Sequence, residues 1–355
     1  MKRYFPGRDN RGRVQVRFYR RRSRMMTDCS RREFNGWVTA LATGAALTPL
    51  AAQAQGADWP SRPVKILVGF TPGGVPDIAA RTLSQRLAEP WKQPIVVENR
   101  LGAGSNVAAQ TAAAAPADGY TLLSVSSAHA VAPAIYARLP FDPIRDFAPI
   151  SLTATGPALV VVAPDLPVKT MADLVALARA KPGLYNYASA GVGSGAHFAV
   201  ELLRSQTGID LVHVPFKGIP EALNETIAGR THLFISPYAS AINLVRQGKA
   251  RAIAVTSLKR MPETPDLPTV AESGVPGYEW VFWYGLLAPA GTPRAIIDRI
   301  HTDVAAVLAQ ADVQQRFRSL GTEAVSSTPE AFARLIATEV ASFTRLARAG
   351  NIRAD

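Results

Sequence analysis

The sequence predicts an α/β fold of two lobes joined by a hinge of two crossovers, and three observations carry that reading. From Trp59 onward, short apolar runs alternate with amphipathic helical stretches, the pattern of layered α/β architecture. Two strand, glycine-loop, helix units, at 66–81 and 185–204, lie more than a hundred residues apart. A long apolar stretch from Phe147 to Ala163 is interrupted at Gly156-Pro157, which suits a strand that leaves one lobe for the other.

Residues 1–54 are expected to stand outside the fold. They hold twelve Lys/Arg against three acidic residues, a net +9 of the formal +12 for the whole chain. The high isoelectric point therefore belongs to this leader. A basic arm that grips phosphates is the rival reading, and the export-type pattern after the basic run argues against a nucleic-acid partner. Ser30-Arg31-Arg32-Glu33-Phe34 resembles the twin-arginine export signal. An apolar stretch from Trp37 to Ala51, too short to span a bilayer, comes next. Ala52-Gln53-Ala54 fits a small-x-small cleavage site, so cleavage after Ala54 and export to the periplasm are expected. Met25 or Met26 would give a more ordinary leader start than Met1. Cys29, the only cysteine, would leave with the leader, so the exported chain has no disulfide, no thiol nucleophile and no cysteine metal ligand.

Past the leader, strands are expected at Val64–Phe70, Pro94–Asn99 and Tyr120–Ser127, each leading into a helix or loop, with parallel pairing between them. Residues 128–146, with Pro133, Pro140 and Pro143, read as a long connection containing one helical turn. After the Phe147–Ala163 strand the alternation repeats: helices at Met171–Ala180, from His197, at Glu221–Ala228 and at Ala241–Gln247. Strands are expected at Leu184–Ala188, Leu211–Pro215, Leu233–Ser236 and Ala252–Thr256. Val281–Pro289 reads as a return strand. Thr292-Pro293 and Thr328-Pro329 each open an amphipathic helix, with the Thr as N-cap and Pro at N1. These last helices are expected to pack on the first lobe. The boundaries that result are 1–54 for the leader, 55–156 and 282–355 for lobe 1, and 157–281 for lobe 2.

The chemistry points to an anion. In the first unit, Phe70-Thr71-Pro72-Gly73-Gly74 links a buried strand to a helix that carries Pro76 in its first turn. The glycines let backbone approach a bound group, and free N–H groups at the helix start favour negative charge. The second unit, Ser189-Ala190-Gly191-Val192-Gly193-Ser194 leading to His197, has the same form. The bland alternative is a pair of tight strand-to-helix turns. A third such loop, at Gly102-Ala-Gly-Ser-Asn106, shows that glycine loops are not individually diagnostic here.

Enzyme signatures are thin. There is no Gly-x-Ser-x-Gly and no Walker A, and His129, His197, His213, His232 and His301 have no zinc-site spacing. His213 and His301 read as structural. Gly191-x-Gly193-x-x-Ala196 matches a loose dinucleotide fingerprint, but the next strand ends without its acidic residue, and Asp210 lies at that strand's beginning. An exported α/β enzyme using this loop is the alternative function; neither cofactor nor metal is expected.

Ordered motifs then give a resemblance covering nearly all of residues 59–350. They include Trp59-Pro-x-Arg-Pro63, Phe70-x-Pro-Gly-Gly-x-x-Asp-x-x-Ala-Arg81, Val97-Glu-Asn-Arg100 and Pro116-Ala-Asp-Gly-Tyr120. Ser189-Ala-Gly-x-Gly-Ser194, Val214-Pro-Phe-Lys-Gly218 and Leu267-Pro-Thr-Val-Ala-Glu-Ser-Gly274 continue the series. In these the chain resembles the substrate-binding proteins of tripartite tricarboxylate transporters, the Bug or TctC family. The resemblance implies a periplasmic, type II-like Venus-flytrap binding protein that takes a small carboxylate and passes it to the membrane permease subunits. A monomer without enzymatic activity is expected, and a binding protein serving a sensor kinase would have the same fold. It also implies that backbone amides of Thr71 to Asp77 and Ser189 to Ser194 hold the ligand carboxylate, with Ser126 and Ser127 at its far end. His197 is either a ligand contact or packing, and Asp77 either lines the site or pairs with Arg81, the structural role being favoured. The family usually has Phe-Asp where this chain has Ile235-Ser236.

Overall fold

The computed structural model describes residues 59–354; the leader, its twin-arginine motif, its cleavage site and Cys29 lie outside the described residues. Strands β1 (Val64–Val68), β2 (Ile95–Asn99) and β3 (Thr121–Ser126) run parallel with β1 in the middle, Ile66 pairing with both Val97 and Leu122. Helices begin just beyond their C-terminal ends: α1 (Val75–Trp91), α2 (Asn106–Ala113) after a turn of 3-10 helix at Ala103–Ser105, and α3 (Ala128–Ile135). Three helix starts therefore line one edge of the sheet.

Helix α3 corrects the sequence reading, which gave residues 128–146 a single helical turn. Pro133 removes one N–H inside the helix, yet His129, Ala130, Val131, Ala132 and Ile135 are all buried. Tertiary burial of that face outweighs the local breaker.

Strand β4 (Phe147–Val162) runs unbroken through Gly156-Pro157. Beyond it come α4 (Met171–Ala180), β5 (Asn186–Ser189), α5 (Gly195–Thr207), β6 (Val212–Pro215) and α6 (Ile219–Ile227). Next are β7 (Leu233–Pro237), α7 (Tyr238–Arg246), β8 (Arg251–Val255) and the return strand β9 (Val281–Pro289). Up to Pro157, β4 pairs antiparallel with β9; from Ala158 it pairs antiparallel with β7 and β8. The change of partner falls at the Gly-Pro dipeptide. Strand β5 sits between β6 and β7, parallel to both. Parallel pairing thus holds for β1, β2 and β3 and for β5, β6 and β7, whereas the crossover strands β4 and β9 pair antiparallel with their neighbours.

The two crossovers are knit together at Thr256, which is fully buried. Its Oγ1 accepts from Ala158 N at 2.7 Å and donates to the Trp280 carbonyl at 2.6 Å. Its backbone N–H bonds Ala158 O and its carbonyl accepts from Trp280 N, each at 3.0 Å.

The chain ends with α8 (Arg294–Leu308), α9 (Ala311–Ser319), β10 (Glu323–Ala324) and α10 (Pro329–Ala349). Helix α8 packs on α1 and β4, and α10 on α3, β4 and α5. Helix α9 and β10 have no counterpart in the sequence reading. Thr328 caps α10 by accepting from Ala331 N, as expected. Thr292 does not cap α8: Pro293 is the N-cap residue, and the Thr292 hydroxyl donates to Pro289 O at 2.8 Å.

Candidate functional site

The first loop leaves β1 at Gly69 and reaches α1 through Phe70, Thr71, Pro72, Gly73 and Gly74, with Thr71, Pro72 and Gly73 exposed. Its shape is set from beneath. Asn99, at the end of neighbouring β2, donates from Nδ2 to Phe70 O at 3.0 Å and to Asp77 Oδ1 at 2.9 Å. Asp77 Oδ2 accepts from Gly73 N and from Arg81 Nε, both at 2.9 Å. Arg81 closes the ring by donating to Asn99 Oδ1 at 3.0 Å. Burial alone would raise the Asp77 pKa, but Arg81, the Gly73 N–H and Asn99 together hold it below the usual carboxylate range. Asp77 therefore fixes the loop. Gly73 has φ +85°, whereas Gly74 is extended at φ −73°, ψ 162°.

The second loop runs from β5 to α5. The buried Ser189 hydroxyl accepts from Gly191 N at 3.1 Å and lies 2.6 Å from His213 Nε2. Gly193 N donates to His197 Nδ1 at 3.2 Å, and Ser194 caps α5 by accepting from His197 N at 3.3 Å. Ala190 is half-buried beside them. Behind the loop, the His197 and His213 rings stack with centroids 3.9 Å apart, and Tyr187 stacks on His213 at 4.9 Å. The Tyr187 hydroxyl donates to Glu201, which pairs with Arg204 at 2.7 Å. Burial, and then the Arg204 charge, push His197 down to about 4; burial, and then the neighbouring His197, push His213 down to about 3. Both rings are neutral at pH 7. That fixes His197 Nδ1 as an acceptor for the loop amide.

Several amides in the two loops are thus already bonded within the protein: Gly73 to Asp77, Gly74 to Thr71 O, Gly191 to Ser189, Gly193 to His197 and Ser194 to Gly191 O. The first intrahelical-type bonds are Ile78 N to Gly74 O and Phe198 N to Ser194 O. This leaves the N–H groups of Val75 and Asp77, and of Gly195 and Ala196, without backbone acceptors at the two helix starts. Neither loop contains Lys or Arg.

Helix α3 connects the two. A side chain at Gly193 (φ +78°) would meet Ile135 at 2.1 Å, and one at Gly195 would lie 2.5 Å from Phe282 and 3.3 Å from Ser127 Oγ. On the first-lobe side, a side chain at Gly69 would overlap Ser105, whose 3-10 turn packs on α3. Ser126 and Ser127, buried at the end of β3, lie between: Ser126 Oγ accepts from Ala128 N at 3.3 Å, and Ser127 N donates to Trp283 O at 3.0 Å. Ser236 is fully buried in β7 with its hydroxyl on Pro237 O.

Sequence reasoning missed Asn99 and the Tyr187–His213–Glu201 layer. The signals were present. Tyr187 and Ser189 share one face of β5 at spacing two, and His213 is the register partner of Tyr187 on β6. Glu201 lies one turn beyond His197 on α5. His213 is structural, as expected, but its role is to hold Ser189. Asp210, the acid that a dinucleotide loop would need, is paired with Arg204 at 3.1 Å.

The sequence model for the tripartite tricarboxylate transporter family receptor, TctC, matches residues 79–352. Among solved structures the chain is similar to Rpa4515 of R. palustris with adipate: TM-score 0.77 and 37% identity, covering 83% of this chain and 99% of that one. It is also similar to MatC of Rhodopseudomonas palustris with bound malate, at TM-score 0.74 and 32% identity, covering 81% and 99%. The periplasmic binding protein BugD matches at TM-score 0.74 and 31% identity, covering 83% and 99%. The fold, the two-lobed relatives and the extent of the family match agree: this chain belongs to the TctC, or Bug, family of periplasmic solute-binding proteins.

Proposed function

We propose that this protein captures a small carboxylate, a dicarboxylate foremost, between the Phe70–Asp77 and Ser189–His197 loops, and delivers it to the permease subunits of a tripartite tricarboxylate transporter. The observation that carries the reading is the pair of helix starts on opposite sides of the hinge. Each offers unoccupied backbone N–H groups, and neither loop has a cationic side chain. Such a site neutralises an anion by helix ends and directional hydrogen bonds. Adipate and malate in the relatives Rpa4515 and MatC support a dicarboxylate. In this reading the lobes are 55–156 with 282–355, and 157–281; the leader directs twin-arginine export; the protein acts as a monomer and catalyses nothing.

Calorimetric and thermal-shift titration of the purified protein against adipate, malate, aromatic acids and nucleotides tests it. Saturable binding of one or more carboxylates is expected. A response confined to nucleotides, or turnover of any acid in the panel, overturns it.

A further inference from the structure

From Arg62 to Arg299, every described arginine except Arg138 is held by a carboxylate or a backbone carbonyl, as Arg62 is by Asp118 and Arg251 by Ala163 O and Leu166 O. On α10 the pattern reverses. Arg334, Arg345 and Arg348 are exposed, and none has an acceptor among the described residues. The two acids of this helix are engaged elsewhere, Glu330 with Arg294 at 2.6 Å and Glu339 with the Trp283 indole. At 3.6 residues per turn, Arg334, Thr338, Ala341, Arg345 and Arg348 fall in one stripe, about 21 Å from end to end. All five positions are exposed. The outer face of α10 is thus a cationic stripe with no carboxylate of its own to neutralise it.

The inner face of the same helix follows the second crossover from one lobe to the other. Phe332 packs on Trp283 with ring centroids 5.4 Å apart, and it fills the space that a side chain at Gly285 would need. Phe343, three turns further on, meets Trp280 at 5.6 Å and Phe198 of α5 at 5.5 Å. Just past the helix, a side chain at Gly350 would stand 3.2 Å from Glu201 Oε2, again on α5. Helix α10 also packs on α3 and β4. It therefore begins over β9, covers the crossover at Trp280 and ends against the second lobe. A body seated on its outer face rests on an element that touches both lobes.

We propose that the outer face of α10 seats an acidic polypeptide segment of the transporter's membrane subunits. The inference rests on the delivery function proposed above and adds to it the surface through which delivery takes place. Charge complementarity selects the occupant. A guanidinium takes a carboxylate through two parallel N–H···O bonds, and such pairs fix geometry as well as supplying attraction. Arg345 and Arg348 stand one turn apart, with Arg334 about 16 Å from Arg345 along the axis, so the stripe reads acids at two separated points. An anionic lipid surface fits less well. A helix that lies in a bilayer interface carries large apolar side chains that insert beside its cations, whereas the exposed neighbours here are Ala337, Thr338, Ala341 and Ser342. These small side chains let a partner's backbone come close to the helix.

The test separates capture from delivery. Variants replace the full chain in its native host, and uptake of the radiolabelled acid that the wild type binds best is measured beside calorimetric affinity and a thermal melt of each purified protein. The triple change Arg334→Glu, Arg345→Glu and Arg348→Glu should leave ligand affinity within about twofold of wild type and lower uptake by about tenfold or more. Arg316→Glu with Arg318→Glu, reversing two equally unpartnered charges on α9, is the control and should leave uptake unchanged. Ala341→Trp blocks the middle of the face without altering charge; it should lower uptake likewise, and it remains informative if the triple variant melts early. Normal uptake with both α10 variants, equal losses from the α9 and α10 reversals, or a fall in ligand affinity that matches the fall in uptake overturns the inference and leaves carboxylate capture standing. So does wild-type binding to phosphatidylglycerol vesicles that the triple change abolishes, since the occupant would then be lipid. A wild type that binds no acid in the panel overturns the proposed function together with this inference.

Discussion

Gly73 and Gly74 look interchangeable in sequence, yet the backbone gives them different work. Gly73 adopts φ +85° and its N–H is committed to Asp77, so a side chain there strains the loop itself. Gly74 is extended, and a Cβ on it would make only ordinary contact, 3.4 Å from Thr71 O. A positive φ therefore gives no reason to expect damage at Gly74; what remains is the space in front of the α1 start. Gly74→Val should melt within a few degrees of wild type and lose measurable adipate or malate binding by calorimetry. Gly73→Val should lower the melting temperature as well. Ser194→Ala, which removes a cap, should cost about 1 kcal/mol of stability. Comparable, small binding losses for Gly74→Val and Ser194→Ala would place the ligand elsewhere. The buried histidines give a second residue-level prediction. His129 and His197 are pushed down to about 4 and His213 to about 3, chiefly by burial. Unfolded, each titrates near its ordinary 6.5. The unfolded chain therefore takes up protons first as pH falls, and stability present above pH 6.5 is lost between there and about 4. Each residue contributes about 1.4 kcal/mol per pH unit inside that window. Glu339, raised by burial to about 7, works in the opposite sense, losing stability as pH rises toward 7. The net slope is then that of about two histidines, and the urea midpoint should be lower at pH 5 than at pH 7. A flat or inverted comparison would contradict neutral burial of these rings.

At the scale of elements, the first loop is an extension of the β2 end and the α1 first turn rather than a free connection. Asn99 holds Phe70 O, and Asp77 holds Gly73 N, so two rigid elements define where the glycine amides stand. Asp77 is almost fully buried while Arg81 is nearly half exposed. The two partners should therefore differ sharply. Asp77→Ala leaves the Gly73 amide and one Asn99 N–H unmet and should cost about 2 kcal/mol in urea denaturation. Arg81→Ala removes a solvent-screened ion pair and should cost below about 1 kcal/mol. Equal costs would mean that the ion pair, not the loop bond, is what the carboxylate supplies. On the other side of the hinge, Gly193 and Gly195 serve packing. They let the α5 loop approach Ile135 and Phe282, contacts that any side chain would block.

For the whole molecule, Thr256 couples the two passages between lobes. Its hydroxyl accepts from one crossover at Ala158 and donates to the other at Trp280, within a fully buried setting. Thr256→Val keeps the shape and strands both backbone groups; a loss of about 3 kcal/mol is expected, with Thr256→Ser close to wild type in the same denaturation series. Should Val and Ser behave alike, the methyl group rather than the hydroxyl would be what matters. Thr256 ties the two passages where the β4–β9 ladder ends at Pro157 and Val281, and lobe closure is expected to pivot there.

Local chemistry determined much of this protein. Alternating apolar runs placed nearly every strand and helix, β9 to the residue at Val281–Pro289, and Gly156-Pro157 marked where β4 changes partners. The two glycine-rich helix starts, and the pairing of Asp77 with Arg81, arise from spacing within a few residues. Tertiary structure decided what spacing cannot encode. Helix α3 forms despite Pro133 because its burial is supplied by distant elements. The Asn99 clamp and the His197–His213 stack depend on which strands become neighbours. Strand order is set by the burial of whole sheet faces and by the crossover path, long-range terms that no short window of sequence contains.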